Sequence, residues 1–399
     1  MASLIGLLKR NYKAFNPPIA SPSVASKPIK FGILGAARIA PIALIDPCKS
    51  HPEAEVYAVA ARDQAKAEAF AKKHSIPKVY SGSNGYQALV EDPEVDVVYN
   101  PLPNGLHYEW TMKALAAGKH VLLEKPSADT ADETRRMFEY AEQKGLVLLE
   151  AFHYRFHPAI QRVKAIVESG ELGAVKSISA SLAVPGGIMK DGDIRYNYAL
   201  GGGAMMDMGC YTMNAIRFVT GSDPTSVISA TSDKYTAPGS TPSSPDSLID
   251  KGTTAHLALP NDVSATLMCS LGLPAWLGIL PVLPRVFVKV QCEGGEVDIF
   301  NQVGPWVYHS ITVKKREGSG RKQRVEKAYT FKESGVDGNG EEWWTTYRYQ
   351  LEAFVDKLKG RKPQHWITKE DSIANMEWIE RVYEKTGLGI RPRYSFVLS

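Results

Sequence analysis

Cysteine is scarce in this 399-residue chain, with four in all, at positions 48, 210, 269 and 292. None forms a Cys-x-x-Cys pair or falls at metal-finger spacing, which excludes a disulfide scaffold and a zinc module. No Asn-x-Ser/Thr acceptor occurs, so a reducing compartment, the cytoplasm, is the expected setting. Apolar runs long enough to cross a bilayer are also missing; stretches such as 95–99 and 146–149 are strand-sized. Charge of one sign is lacking as well. The formal net charge is +4, and the basic cluster Lys314 to Arg316 with Arg321 to Arg324 is broken by Gly and Ser. That cluster reads as a solvated hairpin, and nucleic acid and membrane are not expected partners.

What remains is an ordinary globular composition, 44% apolar and 23% charged, on a chain too long for one core. The first thirty residues carry five basic and no acidic side chains, and Asn16-Pro17-Pro18 breaks any helix there early. Residues 1–29 read as an arm, with a targeting role left open.

From 30 to 152 short β-branched runs (31–34, 56–60, 95–99, 120–123 and 147–149) alternate with helix-period stretches (64–73, 107–117, 132–144). Gly118 and Gly145 stand where helices end. This rhythm predicts an α/β domain with a doubly wound parallel sheet. Past Pro158 the texture changes. Helices are expected at 160–169 and 204–219, a strand at 176–184, and strands without helices between them over 225–332. Two closing helices are expected near 342–359 and 369–385. The second domain, 153–399, is therefore α+β with a mostly antiparallel sheet.

Gly35-Ala36-Ala37-Arg38-Ile39-Ala40 follows the first strand and opens a helix. Gly35 supplies the tight turn, Ala37 lets a pyrophosphate approach the backbone, and Ala40 permits close helix–strand packing. At the end of the second strand, where NAD-binding chains carry a carboxylate, stands Arg62. A guanidinium suits a 2′-phosphate, so NADP is expected, with Asp63 left to cap the next helix. Lys125, in Glu124-Lys125-Pro126, lies past a strand end where ligands collect. Its ammonium would polarise a hydroxyl or carbonyl oxygen, and partial burial would lower its pKa.

These motifs, with Pro101-x-x-Asn104-x-x-His107 and Gly201-Gly202-Gly203-x-x-x-Asp207-x-Gly209-x-Tyr211, occur in register. Together they resemble the Gfo/Idh/MocA oxidoreductase family over about 31–390. The resemblance implies a Rossmann domain, a sheet domain whose open face commonly forms a homodimer, a cis Lys125–Pro126 bond and Lys125 as catalytic lysine. It implies cofactor contacts from Gly35, Ala36, Ala37, Arg38, Ile39, Arg62, Pro101, Leu102, Asn104, His107, Glu124, Lys125 and Arg155. Tyr211, where many members carry His, resembles the branch of dihydrodiol, glucose–fructose and D-xylose oxidoreductases. Tyr211 is then the acid/base, its phenolate stabilised by Lys125, with Asp207 orienting the pair or the substrate. His153 is expected in the cleft, as are Asp193, Arg195 and Tyr196 from a polar loop. His153 and His157 have a metal pair's spacing, but Pro158 and the lack of a third ligand argue against metal. The expected activity is NADP-dependent oxidation of a sugar hydroxyl, D-xylose or a related aldose. Alternatives are trans-dihydrodiol oxidation and a non-catalytic dinucleotide-binding regulator.

Overall fold

Phe31, Ile33, Val97, Val98, Tyr99 and Val121 are wholly inaccessible, as runs flanked by helices on both faces must be. They lie in a sheet built from β1 (Ile29–Leu34), β2 (Ala54–Ala61), β3 (Lys78–Ser81), β4 (Val97–Asn100), β5 (His120–Leu123) and β6 (Leu148–Glu150). The computed structural model describes residues 4–21, 23, 27–236, 244–275, 282–318, 320–393 and 395–396. In it the six strands pair in parallel in the order β3-β2-β1-β4-β5-β6. The reversal between β1 and β4 creates the crevice at which such sheets bind ligands. β3 and the short helix Gly85–Val90 behind it lack a readable apolar period, and no pattern in the sequence marks them.

The second sheet comprises β7 (Val175–Pro185), β8 (Ser226–Lys234), β9 (Asp250–Leu259), β10 (Val263–Leu273), β11 (Arg285–Cys292), β12 (Gly295–Phe300), β13 (Ser310–Glu317) and β14 (Gly320–Glu326). Its order is β14-β13-β12-β11-β7-β10-β9-β8, antiparallel except between β7 and β10. One cross-strand row, Leu257, Ala265, Ile178, Val290, Val297 and Val313, is buried beneath helices. The row beside it, His256, Thr266, Ser179, Lys289, Asp298 and Thr312, points the other way and is polar. Alternation of period two separates the rows. The basic cluster lies on the β13–β14 hairpin, as its glycines and serine indicate.

Helices Pro158–Glu168, Cys210–Thr220 and Lys369–Thr386 cover the apolar face. Thr346–Leu358 returns to the first sheet, setting Phe354 against Phe31. The arm contains a helix, Leu4–Phe15, docked on the second domain: Arg10 lies 3.5 Å over the Tyr329 ring and donates to the Trp306 carbonyl.

Candidate active site

The turn after β1 is held by Gly35 at φ +86°, a conformation costly for any side chain. A Cβ there would also meet Leu102 at 3.3 Å and the Tyr86 hydroxyl at 3.7 Å. Ala37 and Ile39 are half-buried, Ala40 is buried, and Arg38 is exposed. The helix opens at Pro41, whose missing N–H costs nothing in the first turn. At the end of β2, Arg62 is exposed and reaches the Tyr86 phenol, which burial raises and Arg62 pulls back. Asp63 accepts from Lys66 N at 2.8 Å and caps the helix Gln64–His74. Gly35, Tyr86 and Arg62 therefore converge at the carboxyl edge of the sheet.

β5 delivers Lys125 to the same edge, and the Lys125–Pro126 bond is cis. His107 is buried with Nδ1 2.8 Å from the Pro126 carbonyl and Nε2 2.7 Å from that of Leu102, tying the two loops together. Burial lowers its pKa to about 4, against the pull of both carbonyls. It braces the strand ends, which leaves it no free ring nitrogen for a ligand. Glu124 accepts a bond from Tyr99 at 2.7 Å, and burial raises its pKa. Pro101 is half-buried beside Leu102.

The second domain completes the cluster. Around Met205–Gly209 the backbone widens to a π-helical turn before the helix Cys210–Thr220, a distortion frequent at functional sites. Asp207 sits on this turn. Lys125 Nζ donates to Asp207 Oδ1 at 3.0 Å and to its carbonyl at 2.7 Å. Arg195 Nε donates to Asp207 Oδ2 at 2.7 Å, and Arg195 Nη1 to Asp193 Oδ1 at 3.0 Å. Burial opposes ionisation of Asp207, but Lys125 and Arg195 outweigh it and bring its pKa to about 2.

Two electrostatic expectations are overturned. Burial does oppose the Lys125 charge, yet Asp207, with Cys210 and Glu124, outweighs it, and the pKa rises above the usual 10.5. The ammonium is a fixed cation, because a carboxylate lies 3.0 Å from it and offsets the cost of burial. Nor is Tyr211 a stabilised phenolate. Lys125 Nζ lies 4.8 Å over its ring, and the hydroxyl instead meets His153 Nε2 at 2.9 Å. Burial, with Tyr347 and Glu124 adding to it, raises the phenol well above its usual 10. His153 itself is stacked on Tyr347 at 3.9 Å, bonded through Nδ1 to Thr346 Oγ1 at 2.8 Å, and lowered by burial to about 3. It faces Tyr211, and the pairing expected between Lys125 and Tyr211 resolves into two pairs, Lys125–Asp207 and Tyr211–His153. Thr346 and Tyr347 lie some two hundred positions away in sequence, and no motif points to them.

Asn104 donates to the Gly201 carbonyl at 2.9 Å, joining the domains. The triple glycine is demanded by crowding. Cβ atoms there would lie 2.0 Å from Asp129 Oδ1, 2.6 Å from the Arg195 carbonyl and 2.3 Å from Asp250 Oδ1. A small cleft opens among Asn104, Ile194, Arg195, Leu200 and Asp207. Tyr196 turns aside and stacks on Tyr235 at 4.0 Å. Arg155 is not brought to the cluster. It pairs with Asp371, donates to His365 and lies 4.3 Å over Phe218, in a separate cavity that shares no lining residue with the cleft. His157 caps its helix through Ala159 N, away from His153's partners. Among the described residues no group of three or more metal-binding side chains forms.

A doubly wound sheet whose carboxyl edge meets a lysine, and a second domain whose π-turn and helix add an aspartate and a tyrosine, define a nucleotide-dependent oxidoreductase. Residues 29–152 match the model described as "Oxidoreductase family, NAD-binding Rossmann fold", and 160–295 match the "GFO/IDH/MocA C-terminal domain". D-xylose 1-dehydrogenase (NADP(+)) 2 of Haloferax volcanii is 34% identical over 90% of this chain and 98% of its own. The chain belongs to the Gfo/Idh/MocA oxidoreductase family. Trans-1,2-dihydrobenzene-1,2-diol dehydrogenase of Sus scrofa is 33% identical over 55% of this chain and 61% of its own. A 3-ketoreductase from Actinomadura kijaniata, solved with NADP and TDP-benzene, superposes with a TM-score of 0.72 at 27% identity, over 90% of this chain and 98% of that one.

Proposed function

We propose that the protein is an NADP-dependent dehydrogenase of a sugar hydroxyl, D-xylose or a related aldose being the substrate class. The observation that carries the reading is the convergence of Lys125, Asp207 and Tyr211 beside a nucleotide turn flanked by Arg62. The fit to NADP rests on Gly35, whose missing Cβ leaves the turn open, and on Arg62, exposed at the end of β2 with no carboxylate in its place. Gly35 to Ile39 would hold the pyrophosphate, Arg62 the 2′-phosphate, and Asn104 and Lys125 the nicotinamide end. NADP, when bound, supplies the hydride acceptor.

The chain's own residues do the rest. Lys125, fixed as a cation by Asp207, holds the substrate oxygen and favours the negative charge that builds on it. Tyr211 is kept protonated by burial. In the direction of carbonyl reduction it donates that proton to the substrate oxygen, and in oxidation its deprotonated oxygen takes the proton back, with His153 Nε2 holding the oxygen in place at 2.9 Å. Asp193 and Arg195 supply polar contacts for further hydroxyls, which favours a sugar over an aromatic diol. Four free buried cysteines suit a reducing, cytoplasmic compartment.

The test is NADP reduction, followed by absorbance of the reduced nicotinamide, against a panel of aldoses, polyols and trans-dihydrodiols. Turnover with D-xylose or a close aldose is expected. A preference for dihydrodiols would overturn the substrate class, and silence across the panel with NADP bound would favour a regulator.

A further inference from the structure

Arg391 lies past the end of the helix Lys369–Thr386, and its side chain is wholly buried together with that of Asp250, the first residue of β9. Charges are tolerated in a dry interior only where their donors and acceptors find partners. All three guanidinium nitrogens do. Nε donates to the Gly202 carbonyl at 2.8 Å and Nη1 to that of Leu248 at 3.4 Å. Nη2 donates to Asp250 Oδ1 at 3.0 Å and to the Tyr383 hydroxyl at 2.8 Å. Asp250 is used as fully. Tyr383 donates to its Oδ1 at 2.8 Å, while Oδ2 accepts from Thr253 Oγ1 and from Met205 N, each at 2.7 Å.

Two of these partners are backbone groups of the segment that carries Asp207 and Tyr211. Gly202 and Met205 bracket Gly203, where a Cβ would crowd Asp250 Oδ1, Arg391 Nη2 and the Tyr383 hydroxyl. Met205 begins the π-helical turn, Asp207 N donates back to the Gly203 carbonyl at 3.0 Å, and Tyr211 follows on the next helix. Lys125 Nζ bonds the Asp207 carbonyl as well as its carboxylate, so the backbone there sets where the ammonium stands. Asn104 grips the same segment from the nucleotide domain, at the Gly201 carbonyl.

We propose, resting on the dehydrogenase reading above, that Arg391 and Asp250 are positioning residues. Their buried pair fixes Gly202 and Met205, and with them the places of Asp207 and Tyr211 against Lys125. Plain stabilisation is a poor account of the pair, because a buried ion pair adds little net stability beside apolar side chains of similar volume. The guanidinium's rigid fork holds a carbonyl, a carboxylate and a hydroxyl at once, which a lysine's point charge on a flexible stem cannot. A displacement of about 1 Å at reacting groups costs about 100-fold in rate. Gly35 and Arg62 belong to the other domain, so the hold on NADP is not expected to change.

Arg391→Lys in the full chain keeps the charge and loses the fork. Assayed well below its melting temperature with the aldose that the parent oxidises, its kcat is expected to fall about 10- to 100-fold, while the KM for NADP stays within about threefold. Amide hydrogen exchange is the second arm: faster exchange is expected over 201–211 and parent-like exchange in the β1–β6 sheet. Tyr383→Phe keeps both charges and removes only the bridging hydroxyl. It is expected to show the same pattern in weaker form, and it decides the matter where the lysine variant does not fold. A lysine variant with kcat within about twofold of the parent, or a KM for NADP that rises as far as kcat falls, would overturn the proposal. So would exchange that quickens evenly over the whole chain, which marks a plain stabiliser. The exchange arm needs no substrate. A parent silent across the panel therefore counts against the dehydrogenase reading alone, and the exchange over 201–211 still decides the positioning role.

Discussion

Replacing Asp207 by Asn removes the one anion that Lys125 and Arg195 share, and its cost follows from the site. The folded carboxyl sits at about 2 against 3.8 for the free group. A folded-state pKa below the unfolded one contributes stability above the unfolded value and loses it as pH falls. The difference corresponds to roughly 2.5 kcal/mol at neutral pH, dropping to about half by pH 3. The neutral amide would also leave two cations facing each other with burial unopposed, so the total loss at neutral pH should be nearer ~3–5 kcal/mol, with Lys125 titrating lower. Thermal melts of parent and Asp207→Asn at about pH 7.5 and about pH 3 measure it. The expected result is a clear loss near neutral pH that narrows in acid. Equal gaps at the two pH values, or no gap at the higher one, would refute the electrostatic account of the cluster.

The remaining predictions need simpler measurements. Tyr211→Phe should lower kcat about 100-fold or more while NADP titration by fluorescence stays within about threefold; near-normal turnover would remove Tyr211 from the chemistry. His153→Phe should slow oxidation about tenfold or more and shift the pH–rate profile, because the phenol loses its acceptor; an unchanged profile would show that the His153–Tyr211 bond is only structural. Arg62→Ala should raise the KM for NADP by about 10- to 100-fold and leave that for NAD nearly unchanged; equal effects on both would cancel the 2′-phosphate assignment. Gly203→Ala should cost on the order of 3 kcal/mol or prevent soluble expression, because φ there is +135° and the new Cβ would lie 2.3 Å from Asp250 Oδ1. A parent-like melting temperature would contradict it.

How much of this was legible beforehand depended on range. The two sheets were, because buried parallel strands read as continuous apolar runs and alternating ones as period two. β3 escaped since Lys78–Ser81 is half-buried throughout and carries neither signal. Lys125, Asp207 and Tyr211 were found through motif register. Their charge states were not, because partners come from afar: Arg195 from a loop, and Thr346 behind His153 from a C-terminal helix. Arg155 was misplaced for the same reason. Its neighbours Asp371 and His365 lie more than two hundred residues downstream, and they hold it in the separate cavity. The docked N-terminal helix went unread because most of its apolar side chains point outward and Asn16-Pro17-Pro18 follows at once.

The bond from Asn104 to the Gly201 carbonyl has a consequence for how the molecule is assembled. One half of the chain owns the cation and the other owns its counter-ion and the phenol, and they meet only across that seam. On the proposed roles of these residues, either half folded alone would be inert, and turnover would report that the halves have docked correctly. The same division lets the outer half diverge towards new substrates without disturbing the half that handles the nucleotide.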